Sequence, residues 1–455
     1  MRPTKDLIER VMGMDVFLTD TLGIGGTIRD RLEDFIVEEI QIDGSIACKV
    51  PIVEGYKDIG DYLWIVLGKR GIDTETAVSR LARVLGISRD YLQVAGLKDS
   101  RAVTYQFVSC HGIDESRVKA LMSLTDNKIF IGAILRRPFP IRPGLLFGNR
   151  FTIVIRNIKL DEEELIARVK GFLNEIREYG GLPAFYGHQR FGTIRPNTHI
   201  IGYYIIKRNF RKAVEELVNT VYPNESDMAK EARERASEGD IKAALELMPK
   251  SLKHERIVLS HLLRRPNDFI GAIRRLPLTT KRLFVQSYQS YIFNRILSLR
   301  LLRGISLRYP EEGDRVSLIS RRGELRGAIV ITSVNRKTFL KLINEGRATL
   351  VLPLIGYGYT PSGGLQGDIE REVLEIEGID NTLFKIQEMP ELSLKGGVRP
   401  SIFAPLDIQI VAISEDDFHP GRLKLVLRFT LKKGLYATVV LRELMKPSSV
   451  FKAGF

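Results

Sequence analysis

Cysteine is nearly absent. Among 455 residues only Cys48 and Cys110 occur, too far apart for a disulfide framework or a thiolate zinc site to be read from spacing. A reducing interior is implied, and the expected location is cytoplasmic. Histidine is sparse as well, with six residues in no ligand spacing. HExxH, paired CxxC, GxSxG and a GxxxxGK loop followed by Ser or Thr are all missing, so no metal and no cofactor are expected. The glycines Gly23, Gly25 and Gly26 have no following Lys-Ser or Lys-Thr and are read as an entry into a strand. No apolar run approaches the roughly 18 residues of a membrane span. The amino-terminal MRPTKDLIERVMGMD lacks the apolar core of a secretory signal, so no membrane association is expected. Short repeats, heptads and low-complexity tracts are missing too.

Acidic residues are the minority charge, 55 Asp and Glu against 69 Lys and Arg, for a net +14. Nucleic acid is the leading partner class for such an excess, the bland alternative being a basic surface kept for solubility. With 44% hydrophobic and 27% charged residues the chain is an ordinary globular one, long enough for two or three domains.

The first part mixes strands and helices, an α+β texture. Residues 35–40 and 62–67 are β-prone, and Ala77, Val78, Leu81, Ala82 and Leu85 follow helical spacing over 76–85 up to Gly86. Val103, Tyr105 and Phe107 alternate with polar residues as in a half-buried strand. A strand over 151–155 precedes a helix whose stripe is Leu165, Ile166, Val169, Phe172, Leu173 and Ile176. From about 195 helix formers dominate, over 203–248, 252–263 and 284–302, the last with Phe284, Tyr288, Tyr291 and Ile292 on one side. Gly-punctuated strands follow at 327–334 and 348–354. Strict alternation returns over 423–432, and 437–444 reads as a terminal strand. Such late strands need partners, and the strand-rich amino-terminal third is the natural donor. The expectation is a discontinuous domain, 1–200 and 406–455, with 201–405 inserted.

Two polar, glycine-rich segments sit between apolar elements, where functional loops are usual. Residues 95–106 (AGLKDSRAVTYQ) put one carboxylate, Asp99, beside Lys98 and Arg101. It is either a functional acid or the residue that shapes the turn. Residues 181–192 (GLPAFYGHQRFG) offer three aromatics with Gln189 and Arg190, which suits stacking on an unpaired base as well as a buried aromatic turn.

Together the two segments resemble signatures of the TruD family of pseudouridine synthases, of archaeal type: GLKDxxAxTxQ and NYFGxQRFG. Residues 29–39 (RDRLEDFIVEE) resemble the family's basic residue followed by EDFxVxE. Residues 284–300 (FVQSYQSYIFNRILSLR) resemble its SxxFNxxLxxR helix, and 433–444 (KGLYATVVLREL) its terminal GxYATxxLREL strand. The matches run in order over nearly the whole chain. One departure is visible, since the Asn of NYFG is Ala184 here and the following aromatics are Phe185 and Tyr186.

The resemblance implies a discontinuous catalytic domain with a mixed, largely antiparallel sheet flanked by helices, plus an inserted α+β domain. It implies a synthase that converts a uridine to pseudouridine in RNA, most often tRNA and typically in the D-arm, with no protein partner required. Exchanging an N1 for a C5 glycosidic bond needs neither redox nor energy input. It needs a flipped uridine, a placed carboxylate and a pocket that holds the detached base. The resemblance makes Asp99 the catalytic carboxylate, Arg29 its ion-pair partner and Tyr186 the ring against the uracil. Asp99 could attack the ribose or the base, or take a proton from C2′. Glu39, Lys98, Phe185, Gln189 and Arg190 are the expected substrate contacts. Basic clusters at Arg136 with Arg137, Lys207 with Arg208, and Arg264 with Arg265 are candidate phosphate contacts. The other reading is a non-catalytic RNA-binding or chaperone protein on a synthase scaffold, suggested by Ala184.

Overall fold

The computed structural model describes every residue except 1, 51–58, 115, 116, 118, 119, 122, 123, 125, 321 and 322. The chain divides into two compact units. One comprises Leu22–Phe172, Ala404–Pro447 and Lys452–Phe455, the other Met1–Thr21, Leu173–Phe403 and Ser448–Phe451.

The first of these units is built on an eight-stranded sheet. Its strands run in the order Leu406–Glu415, Leu423–Lys432, Leu146–Ile158, Phe35–Gln41, Val103–His111, Tyr62–Arg70 and Ile129–Arg137, with Gln93–Val94 beside Val103–His111. Among the described residues every pairing in this sheet is antiparallel except that of Phe35–Gln41 with Val103–His111, in register Ile36 to Val103. The alternating 423–432 segment is a strand over those residues, with Leu425, Leu427, Phe429 and Leu431 on its buried face. Tyr62–Arg70 is a continuous apolar run because it is covered on both faces. Leu63, Ile65 and Leu67 pack with Val78, Leu81 and Leu85 of the Thr74–Leu85 helix. Trp64 and Val66 pack with Phe107 and Ile141 on the other side. Asp73 caps that helix by accepting from the Thr76 N–H, and Gly86, at φ 64°, ends it in the left-handed region.

Residues 437–444 are not a strand. They form the helix Ala437–Met445. The β-branched run Thr438-Val439-Val440 suggests extension, but the element is buried all round, and a helix satisfies its backbone within itself. Its last carbonyls accept from the segment before the first strand, Leu444 from Ile24 and Met445 from Gly25.

That segment is fastened by a buried charge cluster. Thr27 and Arg156 form a two-way backbone bridge. The Arg156 guanidinium reaches Asp34 at 2.9 Å, Asp416 at 2.7 Å and Asp417 at 2.8 Å. Burial alone would raise the Asp416 carboxyl, but the Asn157 and Phe418 N–H donors and Arg156 outweigh it and hold it below its ordinary value. Asp417 is held lower still by Lys424 and then Arg156.

The other unit is mostly helical, with a four-stranded antiparallel sheet in the order Leu325–Val330, Arg315–Ile319, Ala348–Leu354, Gly397–Pro400. Its axis is the helix Leu278–Leu302, which starts six residues before the expected 284 because Pro277 opens it. Phe284, Tyr288, Ile292, Phe293 and Ile296 are buried along it. The helix Thr198–Ile206 crosses it at Gly202, where a Cβ would lie 2.0 Å from the Phe284 carbonyl oxygen. Glycine is required there by the closeness of the two backbones. Arg300 is fully buried, paired with Asp314 at 2.7 Å and bonded to Gln366. Among the described residues no helix is long and apolar enough to cross a membrane.

Arg156→Leu strands Asp34 and Asp416 as buried carboxylates without a cation, and the expected cost is about 3 kcal/mol in a denaturant titration. In the native protein the contribution of Asp416 and Asp417 is complete above about pH 4 and drains away as pH falls further, because their folded values lie below the unfolded ones. Asp416→Asn should flatten that acid limb. An unchanged acid transition in Asp416→Asn would remove the cluster from the account.

Candidate active site

Asp99 stands in the loop between Gln93–Val94 and Val103–His111. Side chains hold the loop's shape. The Lys98 N–H donates to Thr74 Oγ1 at 2.9 Å, Thr74 donates to Gln106 Oε1 at 3.1 Å, and Gln106 Nε2 donates to the Gly96 carbonyl at 3.3 Å. Asp99 shapes the turn and also pairs with a distant cation. Its Oδ1 accepts from the Arg101 N–H at 2.9 Å, which makes the turn, while Oδ2 accepts from Arg29 Nη2 at 2.8 Å.

The two residues lie 70 positions apart in the chain, and sheet topology brings them together. Arg29 precedes Phe35–Gln41 and Asp99 precedes Val103–His111, and these strands are parallel neighbours. Their leading loops therefore reach the same end of the sheet, whereas an antiparallel pair would send them to opposite ends. Arg29 has φ 63°, a left-handed backbone that costs a non-glycine residue about 1 kcal/mol. Its guanidinium lies 4.3 Å from the centre of the Phe35 ring and donates to the Gly454 carbonyl at 3.2 Å. The Arg29 side chain is 4% exposed and that of Asp99 23%. Burial lowers the Arg29 pKa and the Asp99 charge opposes that shift. The acid is thus reachable from solvent while its partner is fixed.

Glu39 and Lys98, expected as substrate contacts, are buried against each other with Oε2 and Nζ 2.9 Å apart. Lys98 also donates to Asn149 Oδ1 at 2.6 Å, because Glu39 and Asn149 face each other across paired strands. Glu39 accepts in addition from Gln41 Nε2 at 2.6 Å. Their geometry is that of an internal tie from strand to loop. Lys69, which was not singled out, donates to the carbonyls of Ile72 at 2.8 Å, Lys98 at 3.3 Å and Asp99 at 2.6 Å. Its only sequence signal is a cation closing an apolar strand.

The segment 181–192 belongs to the mostly helical unit. Phe185 is fully buried, so this expected base contact is a core residue. Tyr186 is half-buried, edge-on to Phe293 at 5.6 Å between ring centres. Gln189 is exposed. Arg190 donates to Ser290 Oγ at 3.1 Å and its guanidinium lies 5.5 Å from the Tyr186 ring centre. The backbone around Ala184 is held from outside the segment. Arg399 Nε donates to the Ala184 carbonyl at 2.8 Å, and the same guanidinium lies 4.2 Å from the Tyr186 ring centre. Asn294 accepts from the Tyr186 N–H at 2.8 Å and donates to the Tyr186 carbonyl at 3.1 Å and to that of Met12 at 2.9 Å. Asn294 is the Asn of the quoted FNxxLxxR helix, so its type was visible in the sequence and its target was not.

The basic clusters divide. Arg136 is exposed but Arg137 is buried, 5.8 Å from the Trp64 ring centre. Lys207 donates to the Gly378 carbonyl, and Arg208 to those of Leu383 and Lys385. Both fasten the chain internally and are poor candidates for a phosphate. Arg264 and Arg265 are exposed, beside a cavity of about 620 Å³ that Arg256, Ser260, His261 and Arg275 also line. Among the described residues no three His, Cys, Asp or Glu side chains are grouped to hold a metal ion.

The profile of the family described as tRNA pseudouridine synthase D (TruD) matches residues 11–444. A Methanosarcina mazei protein named "Probable tRNA pseudouridine synthase D" is 38% identical over 442 residues, covering 96% of this chain and 97% of its own. One of that name from Pyrobaculum aerophilum is 36% identical over 449 residues, covering 98% of each. A crystal structure of a Methanosarcina mazei protein described as a tRNA pseudouridine synthase D superposes with a TM-score of 0.80. It is 37% identical in sequence and covers 96% of this chain and 98% of its own.

Asn294→Ala removes the hydrogen bonds that Asn294 makes to the amide and carbonyl of Tyr186, and the expected loss of stability is about 3 kcal/mol. Equilibrium denaturation checks it. A loss below about 0.5 kcal/mol would show that the Tyr186 backbone is held by other groups.

Proposed function

Because the chain belongs to the TruD family, by a match over residues 11–444 and relatives aligned along almost their whole length, we propose that it isomerises a uridine of tRNA to pseudouridine. The observation that carries the reading is the Arg29–Asp99 pair, 2.8 Å apart with the acid partly open to solvent, in the loop that matches the family signature. The target we assign is in the D-arm, and the site of action the cytoplasm.

Asp99 supplies the carboxylate. Whether it attacks ribose or base or takes the C2′ proton, each route needs an oxygen that is charged and aimed. Arg29 keeps one oxygen fixed, and the Arg101 N–H fixes the other. Such fixed partners spare the reaction the cost of reorganising solvent around the charge. Tyr186 takes the base-stacking role, its ring steadied by Arg399 and Phe293. With its carbonyl and amide neighbours held by Arg399 and Asn294, the loop keeps its shape without the family's Asn. An ordered loop is what a catalytic role requires, which supports the enzyme over the non-catalytic reading.

Asp99→Asn keeps the outline of the side chain and removes its charge. Pseudouridine formation in a tRNA transcript should fall below detection while RNA affinity stays within about three-fold of wild type. Normal product from Asp99→Asn would take the central residue out of the mechanism.

Affinity for RNA should drop steeply between roughly 50 and 200 mM salt as Lys and Arg displace counterions. Arg264→Ala with Arg265→Ala should reduce the slope of log affinity against log salt by about 2. A slope unchanged by the double variant places the phosphate contacts elsewhere.

A further inference from the structure

Lys69 is the last residue but one of the Tyr62–Arg70 strand and is 2% exposed. A lysine this deep is costly unless each of its donors is used. The ammonium has three N–H groups, and three carbonyl oxygens meet it, those of Ile72, Lys98 and Asp99. Two belong to the residues that carry the Glu39 tie and the catalytic carboxylate. The neutral amine has two N–H groups and a lone pair, which would face a carbonyl oxygen. Only the charged form satisfies all three.

We propose that Lys69 is the positioning residue of the Asp99 loop: its ammonium grips the carbonyls of Lys98 and Asp99, fixes the backbone from which the Asp99 carboxylate projects, and turnover requires the charged form. The proposal rests on the synthase reading above for its kinetic arm only. Lys69 touches no reacting atom in this account and acts through Asp99.

The charges that face it come from two elements, Asp99 and Lys98 in the loop and Asp73 at the start of the Thr74–Leu85 helix. Burial pulls the Lys69 pKa down to about 8. Asp99 and Asp73 oppose that shift, and Lys98 adds to it. The rate should therefore fall as pH rises through about 8. Between that value and the ordinary 10.5 the Lys69 site binds more protons in the unfolded chain than in the folded one. Loss of the Lys69 proton therefore does not itself destabilise the fold in that window. Cys110, whose thiol burial pushes up to about 11, acts the other way above about pH 9, so the loop exchange separates a loosened loop from unfolding.

The test is a single-turnover pH–rate profile on a tRNA transcript, with amide hydrogen exchange over 96–102 on the same proteins. In Lys69→Met the rate should fall roughly 100-fold, RNA affinity should stay within about three-fold, and the limb near pH 8 should vanish. Amides of the loop should exchange roughly ten-fold faster while those of Val103–His111 do not. Asp73→Asn keeps the helix cap and removes one attraction, so its limb should move to lower pH. Wild-type product with a flat profile between about pH 7 and 9 overturns the proposal. So does Lys69→Met with wild-type turnover, or with unchanged loop exchange. Absence of pseudouridine in wild type would instead defeat the functional reading, and loop exchange would then decide the clamp by itself.

Discussion

The contact between Arg29 and Asp99 depends on a single feature of the sheet, the parallel pairing of Phe35–Gln41 with Val103–His111. Two loops that are remote in sequence reach the same end because the strands after them run side by side in the same direction. Each end of the contact is then fixed from behind. Arg29 is held by a left-handed backbone, the Phe35 ring and the Gly454 carbonyl. Its segment is pinned by the Thr27–Arg156 bridge and the acids around Arg156. Asp99 is held by the Arg101 N–H, and its backbone by Lys69.

The same logic explains why so many charges near the loop are hidden. A carboxylate that is open on one side, as Asp99 is, can be aimed only by groups that do not move. Buried ions stay in place when they are well partnered, as for Lys98 between Glu39 and Asn149, and most fully when every donor is used, as for Lys69 among three carbonyls. Such pairs add little net stability for their desolvation cost. Their contribution is geometric. In the mostly helical unit Asn294 does the equivalent work with neutral groups, tying the Leu278–Leu302 helix to the backbone of Tyr186.

A good deal was legible in the residues. Alternation over 423–432 predicts a half-buried strand, and the structure has one with the same bounds. The stripe ending at Leu85 before Gly86 predicts a helix and its stop. Both are local, since side-chain period and backbone freedom at glycine do not depend on distant contacts. The run 437–444 is the counterexample. Its β-branched residues favour extension, yet the completely buried element is a helix, which pairs its own backbone groups.

The sequence by itself determined the family, the class of chemistry, and the types of residue available for it: one acid among cations, an aromatic loop, an excess of positive charge. These are matters of composition and of motifs a few residues long. The tertiary structure alone decided which groups are buried, paired or open. Phe185 and Tyr186 are neighbours of similar type, yet one is core and the other half-open. Lys98 and Arg136 are both cations, yet one is locked to Glu39 and the other exposed. Lys69 reads as the end of a strand and proves to grip the Asp99 loop. The reason is that burial and pairing depend on what lies across the sheet or the next helix. That neighbour is set by strand order and register, which no local pattern of side chains records.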